Sequence, residues 1–551
     1  MAKSKKASPK PEKTASPHQA PVQIAETFPD DPKAYSTLYI CFGVLSVCLV
    51  AILLFFSGMN YGGKRLYAHN ILLLPAGAAL ALLSGFVKPS VPFLSRPSYG
   101  RFVFLAVCVS LSFLIQVIAV SNYFFITNWD VATVFKNCLY IISGQTDILS
   151  NAYFSAYPNN LLIVYLYTFL IRLNSIFARE MSMETAYLGL VIFHCALYQA
   201  AGVLLYQLTK KITANARTAA VAYILYFLLM LLSPWVTVPY SDSLGLIFPI
   251  LILYSIFFWP EGKLSWLKWL VFALLTGIGY QIKPQIAIVS IAVVLIGFCR
   301  QLRLRGFKTR LKHIGLCAGG MAAGIAICLL LSLHVRQALP FELDSEASFG
   351  APHYIMVGMN RETNGIYSAE DVEFSSQFST KRERNAENLR VIRERIESMG
   401  WQGFFTHLVQ KTLVNFNDGT FFWGGEGNFY ARVPERNSTL SQFLQNVYYN
   451  QTGREAYYGL WSNFEHMVWL TILLFGGFAG FSARRREIGV VMLSLIGLTV
   501  FELIFEARAR YMLVYTPLFI LLASVGISDA QEKIHRAAAA LRNKAPGKSN
   551  P

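Results

Sequence analysis

The stretch "TLYICFGVLSVCLVAILLFFS", residues 37–57, carries no charged side chain. At about 1.5 Å of rise per residue it is long enough, as a helix, to cross the roughly 30 Å hydrocarbon layer of a bilayer. No small-residue cleavage site follows it, so it reads as an anchor and not as a removed leader. Further apolar runs recur at 69–87, 102–121, 185–207, 217–233, 243–259, 265–281, 284–299, 313–334, 465–481, 488–504 and 511–527. A shorter run, "LLIVYLYTFLI" at 161–171, reads as re-entrant or half-inserted. Of the 551 residues 54% are hydrophobic and 14% charged, outside the range of soluble domains. The expected fold is an all-α polytopic membrane protein with about 12–13 transmembrane helices.

The formal charge of +17 would suit nucleic acid, but its placement excludes that class. "RQLRLRGFKTRLKH" (300–313), "SARRRE" (482–487) and "EKIHRAAAALRNK" (532–544) sit between or just after apolar spans. That is the positive-inside pattern, with a cytoplasmic amino terminus and membrane lipids as the basic segments' partner. Lys64 and Arg65 run against it. Residues 1–35, rich in Lys, Pro, Ser and Ala, read as a disordered basic cytoplasmic tail. The remainder divides into an N-terminal transmembrane region 36–334 with an exterior loop at 122–160, an α-rich extracytoplasmic subdomain 335–464, C-terminal helices 465–527 and a basic cytoplasmic tail 528–551. Within the subdomain, "STKRERNAENLRVIRERIESMG" reads as a charged surface helix. Of eight cysteines only Cys138 falls in an exterior loop, so neither a disulfide framework nor a zinc spacing is written.

The ionisable residues that stand out lie where spans end. In "FFITNWDVATVF" (124–135) Asp130 is set among Phe124, Phe125, Trp129, Val131 and Val134, ahead of a short amphipathic helix at the membrane surface. It is either a solvated loop acid or a carboxylate within reach of a lipid head group. Asp147 lies in the same loop, before "NAYFSAYPNN" (151–160), where Tyr157, Asn159 and Asn160 flank Pro158 at the membrane re-entry. In "SPWVTVPYSDSLGLIFPI" (233–250) two prolines break the helix around Tyr240 and Asp242, which caps the next helix, lines a wet cavity, or both. Lys283 in "GIGYQIKPQIAI" (277–288) either snorkels or neutralises an anion. "FELIFEARARYMLVYTPLF" (501–519) crowds Glu502, Glu506, Arg508 and Arg510 into one exterior corner, as an internal network or as a phosphate seat. Lipid phosphate, membrane-edge carboxylates and a large exterior insert together fit sugar transfer from a polyprenyl-phosphate donor: the departing phosphate needs cations and the acceptor needs a carboxylate.

The ordered landmarks "NWD", "YPNN", "PYSD", "IKPQ", a large exterior insert and "EARARY", over roughly residues 120–530, resemble the GT-C superfamily of integral-membrane glycosyltransferases. The segments "MVGMNRETNGIYSAEDV" and "NFNDGTFFWGGEGNFY" are similar to those of a Gram-positive envelope branch. The resemblance implies a GT-C-like fold in a bacterial plasma membrane, with Asp130 and, in the same cavity, Asp242 as the catalytic carboxylates, and Lys283, Arg508 and Arg510 on the donor phosphate. Asp147, Tyr157, Asn159, Asn160, Tyr240 and Glu506 would line that cavity. It implies a polyprenyl-phosphate sugar donor and an envelope glycan, teichoic polymer, lipid or protein as acceptor. No metal-binding acid pair is written beside Asp130, which leaves the need for a divalent metal open. Two spans precede the one leading to Asp130, where many members have none.

The rival reading is a flippase for lipid-linked sugars or another secondary transporter, whose charges would line a midplane path. The clustering of charge at span ends, the large insert and the absence of an internal repeat favour the enzyme. A third reading, a non-enzymatic envelope-assembly partner, would use "GTFFWGGEGNFYARV" as its binding surface.

Overall fold

The computed structural model of the chain describes residues 36–56, 68–86, 98–176, 182–259, 265–303, 307–425, 433–450, 455–482 and 485–544. The expected tail 1–35, Lys64, Arg65 and the 426–432 part of the aromatic loop lie outside these residues. Among the described residues every regular element is helical. Seven helices are long and apolar enough to cross a membrane: Ser36–Phe55, Leu105–Tyr123, Met183–Thr213, Leu311–Ala338, Glu455–Phe481, Arg486–Ile504 and Ala509–Leu541. Five shorter apolar helices, Asn70–Phe86, Ala216–Leu231, Ser241–Phe257, Trp266–Ile282 and Pro284–Cys299, fill the remaining places in the hydropathy pattern. The chain is an all-α polytopic membrane protein.

Local chemistry explains why some segments are short. The helix Ala216–Tyr226 loosens into a π turn at Phe227–Leu231, and Pro234 then opens a 3-10 turn over Pro234–Thr237. Proline lacks the N–H that a continuing helix needs, so it sits where a helix restarts. Pro284 does the same between the helices Ser265–Ile282 and Ala287–Arg303, leaving Lys283 extended at the break. Lys283 sits in the second break, and Asp242 in the short helix Ser241–Gly245 that follows the first.

The tightest helix pair is Ser265–Ile282 against Phe307–Ala338. It is closed by glycines: a Cβ on Gly320 would lie 2.5 Å from the Trp266 carbonyl oxygen, and one on Gly324 would lie 2.7 Å from that of Leu270. Small residues four apart let two backbones approach where lipid offers no hydrophobic drive. Gly324→Leu is expected to lower the apparent melting temperature in detergent, by the equivalent of about 1–3 kcal/mol. Gly297→Leu, whose Cβ meets nothing within 4 Å, serves as the neutral control.

Three elements differ from their sequence reading. The run at 161–171 extends to a helix Leu161–Ser175, about 22 Å long and still short of a bilayer. It packs on Met183–Thr213, with Tyr167 Oη 2.7 Å from His194 Nε2. The last helix runs on past the expected span 511–527, over Thr516–Lys544, where Gln531 and His535 find partners on the carbonyls of Ala81 and Gly85. The charged helix extends over Lys381–Phe416 and is not wholly at the surface. Arg384 is buried, its guanidinium spent on the carbonyls of Ser375, Glu346, Ser348 and Phe378.

The segment "NFNDGTFFW" folds into a buried knot. Asp418 accepts from the backbone N–H of Thr420 and Phe422 and from the Thr420 hydroxyl, which holds Phe421 and Phe422 at positive φ of 54° and 62°. Trp235 and Trp469 donate to the carbonyls of Thr420 and Phe416, pinning the knot to the bundle.

Candidate functional site

Asp130 lies not in a loop but in the first turn of a helix, Trp129–Ser143, closed by Gly144 in the left-handed region at φ 75°. One face of that helix is buried against the bundle through Val131, Val134, Phe135 and Cys138. Trp129 begins it with φ at +50°, a conformation that costs a non-glycine residue about 1–3 kcal/mol. The unusual backbone aims the indole inward, where its ring meets Tyr240 edge-on at 5.9 Å and the Arg510 guanidinium at 4.7 Å.

The half-buried Asp130 carboxylate is dressed by neutral donors. Tyr240 Oη donates to its Oδ2 at 3.1 Å, and the Tyr153 phenol stands near enough to feel its charge. Burial first, and the Asp130 charge second, push the Tyr153 phenol up, so it stays protonated as a donor. Asn160 Nδ2 donates to Tyr153 Oη at 2.8 Å, which fixes the direction of that phenol. Tyr157 stands close by, its phenol pushed up by burial and then by Asp130.

Asp242 is held differently. It is buried at the start of the short helix Ser241–Gly245, and each oxygen faces a cation: Oδ1 is paired with Lys283 Nζ, and Oδ2 with Arg510 Nη1 at 3.0 Å. Lys283 Nζ lies 4.0 Å from the centre of the Tyr511 ring, a cation–π contact in a desolvated place. At the rim Glu506 accepts from Tyr511 Oη at 3.2 Å and from Arg508 Nε at 3.4 Å. Glu502 is fully buried, neither carboxylate oxygen has a hydrogen-bond partner, and it lies within the electrostatic reach of Lys283 and Lys411.

The cluster therefore has a buried charged floor of Asp242, Lys283, Arg510 and Glu502. Its half-buried rim is formed by Asp130, Trp129, Tyr153, Tyr157, Tyr511, Glu506 and Arg508. A floor of this kind can take up an anion by exchanging Asp242 for it, and a rim carboxylate held by phenols can accept a proton. Of the residues picked from sequence, Asp130, Tyr157, Asn160, Tyr240, Asp242, Lys283, Glu506, Arg508 and Arg510 come together here. Asp147 does not: it is exposed in the turn after Gly144. Asn159 is half-buried, and no contact ties its side chain to the cluster. Among the described residues no three metal-ligating side chains gather as a metal site.

Sequence reasoning passed over Tyr153, Tyr511, Trp129 as a cation platform, and Lys411. The spacing of Tyr153 and Tyr157, one helical turn apart, and a lone lysine in "HLVQKTLVNF" were the available signals. Lys411 is fully buried, with Nζ on the carbonyl oxygens of Gly358 at 2.9 Å and Phe505 at 2.6 Å. Burial pushes it down to about 7, against the pull of Glu502 and Glu506. Above that pH and below the ordinary lysine value the unfolded chain holds a proton that the folded one has released, so stability rises with pH. Below about pH 7 the cost of the buried charge is present in full. The melting temperature is expected to climb from pH 7 to 9, at up to about 1.4 kcal/mol per unit, and Lys411→Met to flatten the climb.

Comparison with curated proteins and with solved structures finds no match for this chain. A family profile described as "Conserved hypothetical integral membrane protein" matches residues 47–531, taking in every residue of the cluster. The chain belongs to that family of integral membrane proteins.

Proposed function

We propose that the protein is a glycosyltransferase that moves a sugar from a polyprenyl-phosphate-linked donor to a cell-envelope acceptor. In this reading the cluster faces the extracytoplasmic side of a bacterial plasma membrane and the amino terminus is cytoplasmic. The observation that carries it is the unlike dressing of the two carboxylates: Asp130 by phenols, Asp242 by two cations. The acceptor oxygen forms its bond to the anomeric carbon as the bond from that carbon to the phosphate oxygen breaks. The acceptor's proton passes to Asp130, and the lipid phosphate leaves with the bonding electron pair. Lys283 and Arg510 meet the growing charge on the phosphate, with Arg508 at the rim. Asp242 is then a positioning residue, the counter-ion that keeps both cations in place between turnovers, while Tyr240, Tyr153 and Asn160 orient Asp130.

The test uses purified protein in vesicles, radiolabelled polyprenyl-phosphate sugars and envelope fractions as acceptor. Label appearing in the acceptor is the expected result. Donor crossing the bilayer with no label transferred would overturn the reading in favour of a flippase.

A further inference from the structure

The helix Lys381–Phe416 changes character at Gly400, whose φ of 57° breaks it. Before the break it is dense in Arg and Glu, while after it "WQGFFTHLVQKTLVNF" holds one lysine. The second half lies across the ends of membrane helices. His407 Nε2 and Lys411 Nζ, one turn apart, both meet the Gly358 carbonyl oxygen at 2.9 Å, and Gly358 rests on the end of Arg486–Ile504, against Phe505. Phe416 packs on Phe519, near the start of Thr516–Lys544. Asn417 accepts from Asn70, the first residue of Asn70–Leu83, and Asn70 also donates to Leu53 near the end of Ser36–Phe55. Four helix ends thus lie under one segment, which fixes its depth at the margin of the bilayer.

In the same segment Trp401 is 79% exposed and Phe405 58% exposed, their rings stacked at 5.6 Å and 19°. Large aromatic surfaces left bare in water are unfavourable, whereas tryptophan with its polar N–H is at home in the head-group layer. We infer that the segment 401–416 is an interfacial helix whose Trp401–Phe405 pair inserts into the lipid head-group region beside the site. The occupant is the bilayer because the segment is continuous with the helix ends it covers. A soluble glycan stacking on the same rings would require no such depth. Insertion ties the insert to the membrane one turn and a half from Lys411, which bonds the Phe505 carbonyl just ahead of Glu506. The inference stands apart from the transfer chemistry.

Trp401→Phe tests it without disturbing a buried contact. The full-length protein is reconstituted in phosphatidylcholine vesicles carrying bromines either near the head group or deep in the chains. The emission of Trp401 is read as wild type minus variant. The expected result is loss of most of this difference emission to shallow bromines, less to deep ones, and little to aqueous iodide. Quenching by iodide with no effect of bromine would overturn the inference. A shift on adding soluble oligosaccharide without bromine quenching would overturn it too, in favour of a glycan platform.

Discussion

If the proposed transfer is right, Asp130→Asn is expected to abolish it and to leave the protein folded. An asparagine oxygen can still accept from Tyr240, and the half-buried position asks for no counter-ion, so thermal unfolding in detergent is expected to match wild type. What is lost is the proton acceptor. A positioned general base contributes roughly 10²- to 10⁴-fold, and initial rates of label transfer should fall by that order with donor binding retained. Equal rates in wild type and variant would remove Asp130 from the mechanism.

Asp242→Asn has the opposite profile, with a large effect on stability. The substitution leaves Lys283 and Arg510 facing a neutral amide, and these side chains are only 11% and 8% exposed. Breaking a buried ion pair from one side costs about 3–5 kcal/mol, since a charge is stranded without compensation. The apparent melting temperature should drop steeply, and combining the change with Lys283→Met should recover part of the loss. That non-additivity is the signature of a shared network. A variant as stable as wild type would mean that Asp242 is not the counter-ion of the floor.

The charged parts of the site that were legible in the sequence share one property: each lies near a break between apolar segments. Charge at that depth is expensive, so Asp130, Asp242, Lys283 and the arginines stand out against their surroundings. Asp147 had the same signal and is exposed, because acidity alone does not say which way a turn faces. The start of the Asp130 helix was hidden because no reader of side chains expects a tryptophan at positive φ to open a helix. Tyr511 and Lys411 were hidden for another reason: Tyr511 meets Lys283 far back in the chain, and Lys411 meets Phe505 across 94 positions. The fold class came through because hydropathy is additive along a span. The burial of Arg384 did not, since charges on every turn of its helix masked the one that points inward.

The two sides of the cluster differ mechanically. Arg510 belongs to the 3-10 segment Ala509–Tyr515, which passes without a loop into Thr516–Lys544. That membrane-crossing stretch is 89% buried over its most apolar window. Its placement is therefore set by packing through the whole depth of the bundle. Asp130 follows the irregular stretch 124–128 and sits at a helix tip that is half-buried. The cluster thus joins a cation carried on a continuous, deeply packed helix to a carboxylate carried at the tip of another.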